Sequence, residues 1–468
     1  MLTRRKALAI TGAAVGGVAI AGTGAAVLAN RDKPEPPSPA AVDGQGRMLW
    51  RNWSGIQNAY PAARLAPKDE GELAAGLKAA AAPIRAVGAG HSFTALAATS
   101  GTLVSLDAMA GVTGWDGDVA TVRAGTRLGA LGPALAAKGH AMANLPDINK
   151  QSLAGAMATA THGTGQGLKA LHGDVVGLTL VTAEGETIEC DAVRRPEVFQ
   201  AAKVSLGALG IVTQVRLATG ANRRVRRRVW LEPFEETLGK AEERWRTHRN
   251  YEFYAVPFTG LAANITHDET DDPVQAPPPS QDDAFLDALK MLRNTFGWSH
   301  GLRKTAAGVL LGGAEEETAV DEGWKLLSTE RPVRFNEIEY HLPPETQLEA
   351  LKAVMAVIEK ERPDVFFPIE VRRTAADEAW LSPFQGGARG SVAVHAWYKD
   401  EYAFFFDLIE PIFQRAGGRP HWGKLHSLKG QRLNGLYPNW KDFLEVRRTL
   451  DPKGRMLNPY LTGLFDLT

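Results

Sequence analysis

One cysteine stands in 468 residues, so Cys190 can form no disulfide within the chain and the fold rests on its core. Net charge is equally scarce. With 53 Lys and Arg against 53 Asp and Glu, there is no global electrostatic case for nucleic acid or an anionic membrane as partner. No internal repeat is evident, and no metal-ligand set is predicted. What remains is a chain 44% hydrophobic and 23% charged, which excludes a disordered or fibrous protein and allows two or three domains with substantial cores. A small neutral or weakly charged substrate suits it best.

Long uncharged runs occur in one place. Arg4 and Arg5 precede a Gly- and Ala-rich stretch from Ala7 to Ala29 without a charged residue, the pattern of a twin-arginine signal over residues 1–29. The expectation is export of an already folded protein by the twin-arginine machinery, to the periplasm, envelope or exterior. The alternative is a membrane anchor, since about 20 apolar residues can span a bilayer, but five glycines make this run only mildly hydrophobic. Residues 30–46 follow as a proline-rich, extended linker with no apolar residue to pack between Lys33 and Pro39.

Beyond the linker the pattern is α+β. Over 47–220, short apolar strands alternate with Gly/Ala turns and Ala-rich helices, such as 70–82 and 128–138. Over 221–416 a basic run, Arg223 to Arg228, feeds a strand and reads as an exposed strand face. An acidic, proline-rich loop at 271–283 is expected to be mobile. Then come a strand at 334–340, a helix at 344–362, strands at 366–372 and 391–398, and a helix at 401–416. Residues 417–468 return to loops and short helices.

Three glycine-rich elements carry the chemistry. In the first, the strand Ile84 to Val87 runs into Gly88-Ala89-Gly90-His91-Ser92, which lacks the third glycine of a Rossmann loop. The second ends in His162-Gly163-Thr164-Gly165, and the third turns through Gly207 and Gly210 into Ile211-Val212. Small residues let backbone amides approach a flat, phosphorylated ligand closely. Each turn alone is a weak signal; three in this order are specific.

Together they resemble the cofactor domain of the vanillyl-alcohol-oxidase superfamily, in its branch of aldonolactone and alditol oxidases. The likeness extends to "FPIEVRRTAADEAWLSP" (Phe367 to Pro383), "RPHWGK" (Arg419 to Lys424) and "LDPKGRMLNPYL" (Leu450 to Leu461). It implies a two-part FAD-binding domain over 47–220, a substrate (cap) domain over 221–416 with a mixed or antiparallel sheet flanked by helices, and a C-terminal segment that returns to the flavin. Gly88, Ala89, Gly90, His91, Ser92, His162, Gly163, Thr164, Gly165, Gly210, Ile211 and Val212 would hold FAD. His91 would be joined covalently to the flavin 8α-methyl.

Glu370 and Arg372, two apart on one strand, point to the same face. The resemblance sets them beside the substrate, with Lys424 near the flavin pyrimidine ring and Ser152 as a donor to a substrate hydroxyl, although two extra residues precede Ser152 here. Alditol oxidases carry a histidine and a threonine, one residue apart, before the tryptophan of the late strand. Here that strand reads Val394-His395-Ala396-Trp397, and a shift of one residue predicts that His395 turns to the opposite face.

The implied function is oxidation of a sugar-derived alcohol, foremost an aldonolactone of the D-arabinono- or L-gulono-1,4-lactone type. Hydride passes to flavin N5, and oxygen or another acceptor takes the electrons. An alditol (xylitol-type) oxidase and a catalytically silent flavin- or carbohydrate-binding protein are the alternatives.

Overall fold

The computed structural model describes residues 34–278, 282–329 and 333–467. The export signal expected at 1–29 lies outside them. Three sheets position the site. A three-stranded parallel sheet has Thr102–Ser105 between Ala63–Leu65 and Ile84–Val87. A five-stranded antiparallel sheet runs Thr187–Asp191, Val175–Val181, Ile211–Ala218, Val119–Arg123, Val112–Asp116.

The third sheet has eight strands, in the order Glu317–Glu322, Arg224–Pro233, Leu261–Glu269, Asn250–Val256, Ile369–Thr374, Arg389–Trp397, Phe335–Leu342, Arg419–Pro420. Every pairing in it is antiparallel. Its middle is built by alternation. Val371 pairs with Val392, and Ile338 with Val394, giving an apolar layer on the side where the helix Pro344–Glu361 packs against Arg389–Trp397. The intervening residues form a second, polar layer that is also buried. Burial on both faces is unusual for an antiparallel sheet, which commonly keeps one face in water. Here the loop His162-Gly163-Thr164-Gly165 lies on the polar side, His162 meeting Glu339 and the Gly165 amide the Arg373 carbonyl.

Several local expectations change in detail. The basic strand Arg224–Pro233 pairs with the acid-bearing strand Glu317–Glu322, and Arg228 is bonded to Glu316 at 2.7 Å, so its charges are matched across the sheet. In the loop at 271–283, of which residues 279–281 lie outside the described residues, Gln275 exchanges two backbone hydrogen bonds of 2.8 Å with Val320 at the sheet edge. Residues 282–311, which periodicity did not resolve, form a hairpin of two helices, Asp282–Phe296 and His300–Leu311. The linker, unable to pack apolar groups, is held by polar ones: Glu35 meets Lys399 at 3.0 Å and Arg334 at 3.4 Å, and the Tyr60 hydroxyl donates to the Ala40 carbonyl.

Candidate active site

The first glycine-rich loop sits where two distant segments meet. A Cβ on Gly88 would stand 2.2 Å from the Ser152 hydroxyl oxygen, and Gly90 has a φ of +69°, so both positions need glycine. The Phe93 amide donates to the Gly423 carbonyl at 2.7 Å and the Thr94 hydroxyl to the Trp422 carbonyl at 3.1 Å. These bonds bring Lys424 to the loop. Arg85, on the strand before the loop, is a residue the sequence reading passed over. Its buried guanidinium donates to the carbonyls of Leu96, Leu206, Gly207 and Met456, which fixes the first element, the third element and the C-terminal segment together.

His91 stacks on Trp53 with ring centroids 5.0 Å apart. Burial, helped by the positive charges of Lys424, Arg127 and Lys150, pushes its pKa down to about 4, so its imidazole is neutral at neutral pH. Arg127 and Lys150 also line an open cleft with Gly129, Asn149 and Thr329. Ser152 caps the helix Leu153–Ala158, accepting from the Gly155 amide. Its contacts are therefore those of the loop beside Gly88, not of the carboxylate face described next.

In the second element, the His162 ring nitrogens lie 2.8 Å from the Gly163 carbonyl and 3.1 Å from Glu339 Oε1. The Thr164 hydroxyl donates to the Tyr251 carbonyl, and the Gly165 amide to the Arg373 carbonyl. This loop is thereby clamped onto the eight-stranded sheet. Gly210, at φ +145°, lets the chain pass within 2.7 Å (Cβ to oxygen) of Val181 before Ile211 and Val212 enter the five-stranded sheet.

Glu370 and Arg372 share a face as the spacing predicted, and they form an ion pair of 3.1 Å. Arg372 also reaches Glu339 at 2.8 Å, while Tyr254 donates to Glu370 at 2.7 Å. Lys424 is paired with Glu337, whose side chain is 2% exposed. Burial alone would raise the Glu339 pKa, but Arg372 and His162 outweigh it and hold that carboxyl well below the usual range. Conversely, Glu370 and Glu339 outweigh desolvation and raise Arg372 well above its ordinary value.

Three members of this face were missed: Glu337, Glu339 and His341. Their signal was present in "NEIEYHL", where polar residues alternate with apolar ones in a strand too apolar to be half exposed.

His395 corrects an expectation. It pairs across the sheet with Glu337, and its Nε2 lies 3.7 Å from that carboxylate, so it faces the site. The reason is register: Ser391, Ala393 and His395 alternate with Val392 and Val394, and it is the valines that occupy the apolar layer. His395 Nδ1 lies 2.9 Å from the Pro368 carbonyl. A carbonyl can only accept, so Nδ1 carries a proton and Nε2 is the nitrogen turned to the carboxylates.

Ligand-type atoms of Glu337, Glu370 and His395, and of His162, Glu339 and His341, each lie within 4.8 Å of one another. The carboxylates already have cations in Lys424 and Arg372, so the clusters are compensated without an ion.

The arrangement suits a flavin. Lys424, Arg127 and Lys150 all act on His91, so the loop that would hold an anionic cofactor lies in positive potential. Among the described residues, buried polar atoms on the carboxylate face have no protein partner: Arg372 Nε, Glu339 Oε2 and both nitrogens of His341. Such atoms are costly unless a ligand or water satisfies them.

Comparison with known proteins agrees. An FAD-binding-domain family matches residues 61–191, and the D-arabinono-1,4-lactone oxidase family matches residues 215–464. The chain is 34% identical over 421 residues to L-gulono-1,4-lactone dehydrogenase of Mycobacterium tuberculosis, covering 88% of this chain and 98% of that protein. It is 30% identical over 393 residues to the alditol oxidase of a Streptomyces species, covering 81% and 89%. A solvent-stable cholesterol oxidase has the same fold, with a TM-score of 0.72 at 18% identity and coverage of 90% and 97%. The chain therefore belongs to the D-arabinono-1,4-lactone oxidase family and is an FAD-dependent oxidoreductase acting on CH–OH groups.

Proposed function

We propose that this protein oxidises a ring carbinol of an aldonolactone, of the D-arabinono- or L-gulono-1,4-lactone type, and works outside the cytoplasm with FAD joined to His91. The observation that carries the reading is the convergence of Glu370, Arg372, Lys424, Glu337 and His395 on the one polar sheet face that meets the flavin loops. Bound FAD supplies the hydride acceptor, which oxygen or another acceptor then reoxidises.

The residues divide the remaining work. Glu370, fixed by Tyr254 and Arg372, accepts a hydrogen bond from one sugar hydroxyl, and Arg372 donates to its neighbour. His395 Nε2 takes the proton of the reacting hydroxyl as its C–H bond breaks. Lys424 stabilises negative charge at the reacting end, held in place by Glu337. The neutral imidazole of His91 is the form that can act as a nucleophile. A covalent tether suits a protein exported in the folded state, because the cofactor cannot then be lost.

Anaerobic mixing with a panel of aldonolactones and acyclic polyols tests the substrate. Bleaching of the flavin absorbance by lactones is expected; bleaching by polyols alone would replace the reading with an alditol oxidase. Acid precipitation tests the tether: the pellet should stay yellow, with flavin mass on the peptide containing His91. Flavin wholly in the supernatant would refute the bond.

A further inference from the structure

The polar face of the eight-stranded sheet continues past Glu370 and Arg372. Tyr254 pairs across the sheet with Glu370 and Phe253 with Val371, so Glu252 falls opposite Arg372, and its carboxylate acts on that guanidinium. Asn250 pairs in turn with His267. Residues two apart on a strand share a face, so Asn250, Glu252 and His267 belong to the same layer as the ion pair. All three are buried. The order across the sheet is therefore Glu337, His395, Glu370 with Arg372, Glu252 and His267. The reacting end lies on one side of the ion pair, and a second polar group lies on the other.

That second group encloses a cavity. Arg372, Glu252, Asn250 and His267 line it together with Thr164 of the second glycine-rich loop, whose carbonyl accepts from Asn250 at 2.6 Å. Its volume is about 10 Å³, room for one water-sized group. Two of the lining residues carry unsatisfied atoms: among the described residues, neither Arg372 Nε nor His267 Nδ1 has a hydrogen-bond partner. Arg372 Nε can only donate. His267 Nε2 lies 3.2 Å from the Leu326 carbonyl, and burial, with Arg227 nearby, lowers the pKa of the ring to about 3. The imidazole is therefore neutral with its proton on Nε2, and Nδ1 can only accept. One hydroxyl, which both accepts and donates, answers both needs. An anionic group has no proton for Nδ1 and would lie against the Glu252 carboxylate.

We infer that this cavity takes the last hydroxyl of the substrate's exocyclic chain, accepting from Arg372 and donating to His267, and that His267 sets the chain length the protein prefers. The inference rests on the aldonolactone reading above. The strand of Glu252 is two spacings from that of His395, about 10 Å, which is more than a lactone ring alone spans. A six-carbon 1,4-lactone carries two hydroxylated carbons beyond its ring, and a five-carbon one carries a single such carbon. The longer chain is the one that reaches the cavity.

Rapid anaerobic mixing of the full-length, flavin-loaded protein with L-gulono-1,4-lactone, and with the analogue lacking only the terminal hydroxyl, tests it. The parent should favour the complete lactone roughly 10- to 100-fold in the rate constant for flavin reduction at low substrate. In His267→Leu the ratio should fall to within about threefold, and His267→Asn, which restores an acceptor, should recover part of it. A ratio is read because a loosened fold would slow both lactones alike. Should His267→Leu fail to hold flavin, the parent comparison still decides. Equal rates for the two lactones in the parent would overturn the inference while leaving the aldonolactone reading in place. So would a preference that persists undiminished in His267→Leu, which would move the hydroxyl to another site. A flavin that no lactone bleaches would remove the reading itself, and the inference with it.

Discussion

Replacing Lys424 by methionine separates catalysis from structure at the carboxylate face. The side chains of Lys424 and Glu337 are 22% and 2% exposed, so the substitution leaves Glu337 buried with its nearest remaining cation-forming group, His395, at 3.7 Å. Breaking a buried pair costs about 3–5 kcal/mol; the partial exposure of Lys424 reduces this to about 2–4 kcal/mol. Removing the stranded charge as well, in Lys424→Met with Glu337→Gln, should bring stability back to within about 1 kcal/mol of the parent. The rate of flavin reduction should not return, because the ammonium is absent from both variants. Its loss from the reacting end should slow reduction roughly 30- to 1000-fold.

Urea midpoints on the flavin-loaded protein read the first quantity, and rapid anaerobic mixing with a turned-over lactone reads the second. Together with Glu337→Gln they close a double-mutant cycle, with a coupling of about 2 kcal/mol expected. Two outcomes would refute the reasoning. A double variant whose loss equals the sum of the two single losses would mean that the pair carries no energy, and parental flavin reduction in either Lys424 variant would mean that the cluster is purely structural.

Acid should destabilise the apoprotein through its buried histidines: burial lowers His91 and His426 to about 4 and His267 to about 3. Their contribution is complete above about pH 6.5, where both states are neutral, and is lost as pH falls through those folded-state values; denaturant midpoints that are flat from pH 7 to pH 4 would contradict it. Gly88→Ala should lower bound flavin and cost about 1–3 kcal/mol, because its Cβ would meet the Ser152 hydroxyl oxygen at 2.2 Å. Adding Ser152→Ala should recover part of the loss, as read by the flavin-to-protein absorbance ratio. Glu370→Gln should keep its flavin, since the cradle is made by other loops, while slowing anaerobic flavin reduction by roughly 30-fold or more. Arg4→Lys with Arg5→Lys should leave the protein in the cytoplasm on fractionation; unchanged export would favour another route.

What could be read from the sequence was whatever local chemistry forces. Gly88, Gly90 and Gly165 are legible because a close backbone approach or a positive φ admits little else. Glu370 and Arg372 are legible because a strand has a period of two. Arg85 was not: an arginine in an apolar strand gives no hint that four carbonyls, up to 371 residues away, await it. His395 was misread for a related reason. Which face a strand residue occupies is settled by the neighbours with which it pairs, here Glu337 on one side of the sheet and the valine layer on the other, and a one-residue offset against a motif cannot supply that register. The hairpin 282–311 was missed because its second helix is apolar on both sides, which blurs a 3.6-residue period.

The charges on the polar sheet face divide its labour. Arg372 is tied to two carboxylates, Glu339 and Glu370, and such a cation is largely neutralised by its neighbours; what it offers a substrate is a fixed direction through its planar fork. Lys424 is paired with Glu337 alone, is partly exposed, and sits 5.1 Å above the Phe93 ring at the end of the His91 loop. Its field is the less cancelled of the two. Glu339 joins the halves of the site, since the same oxygen meets Arg372 of the sheet and His162 of the flavin loop. Under the proposed assignment one buried carboxylate would tie substrate geometry to cofactor geometry, so a substitution at His162 should also alter how Arg372 is held.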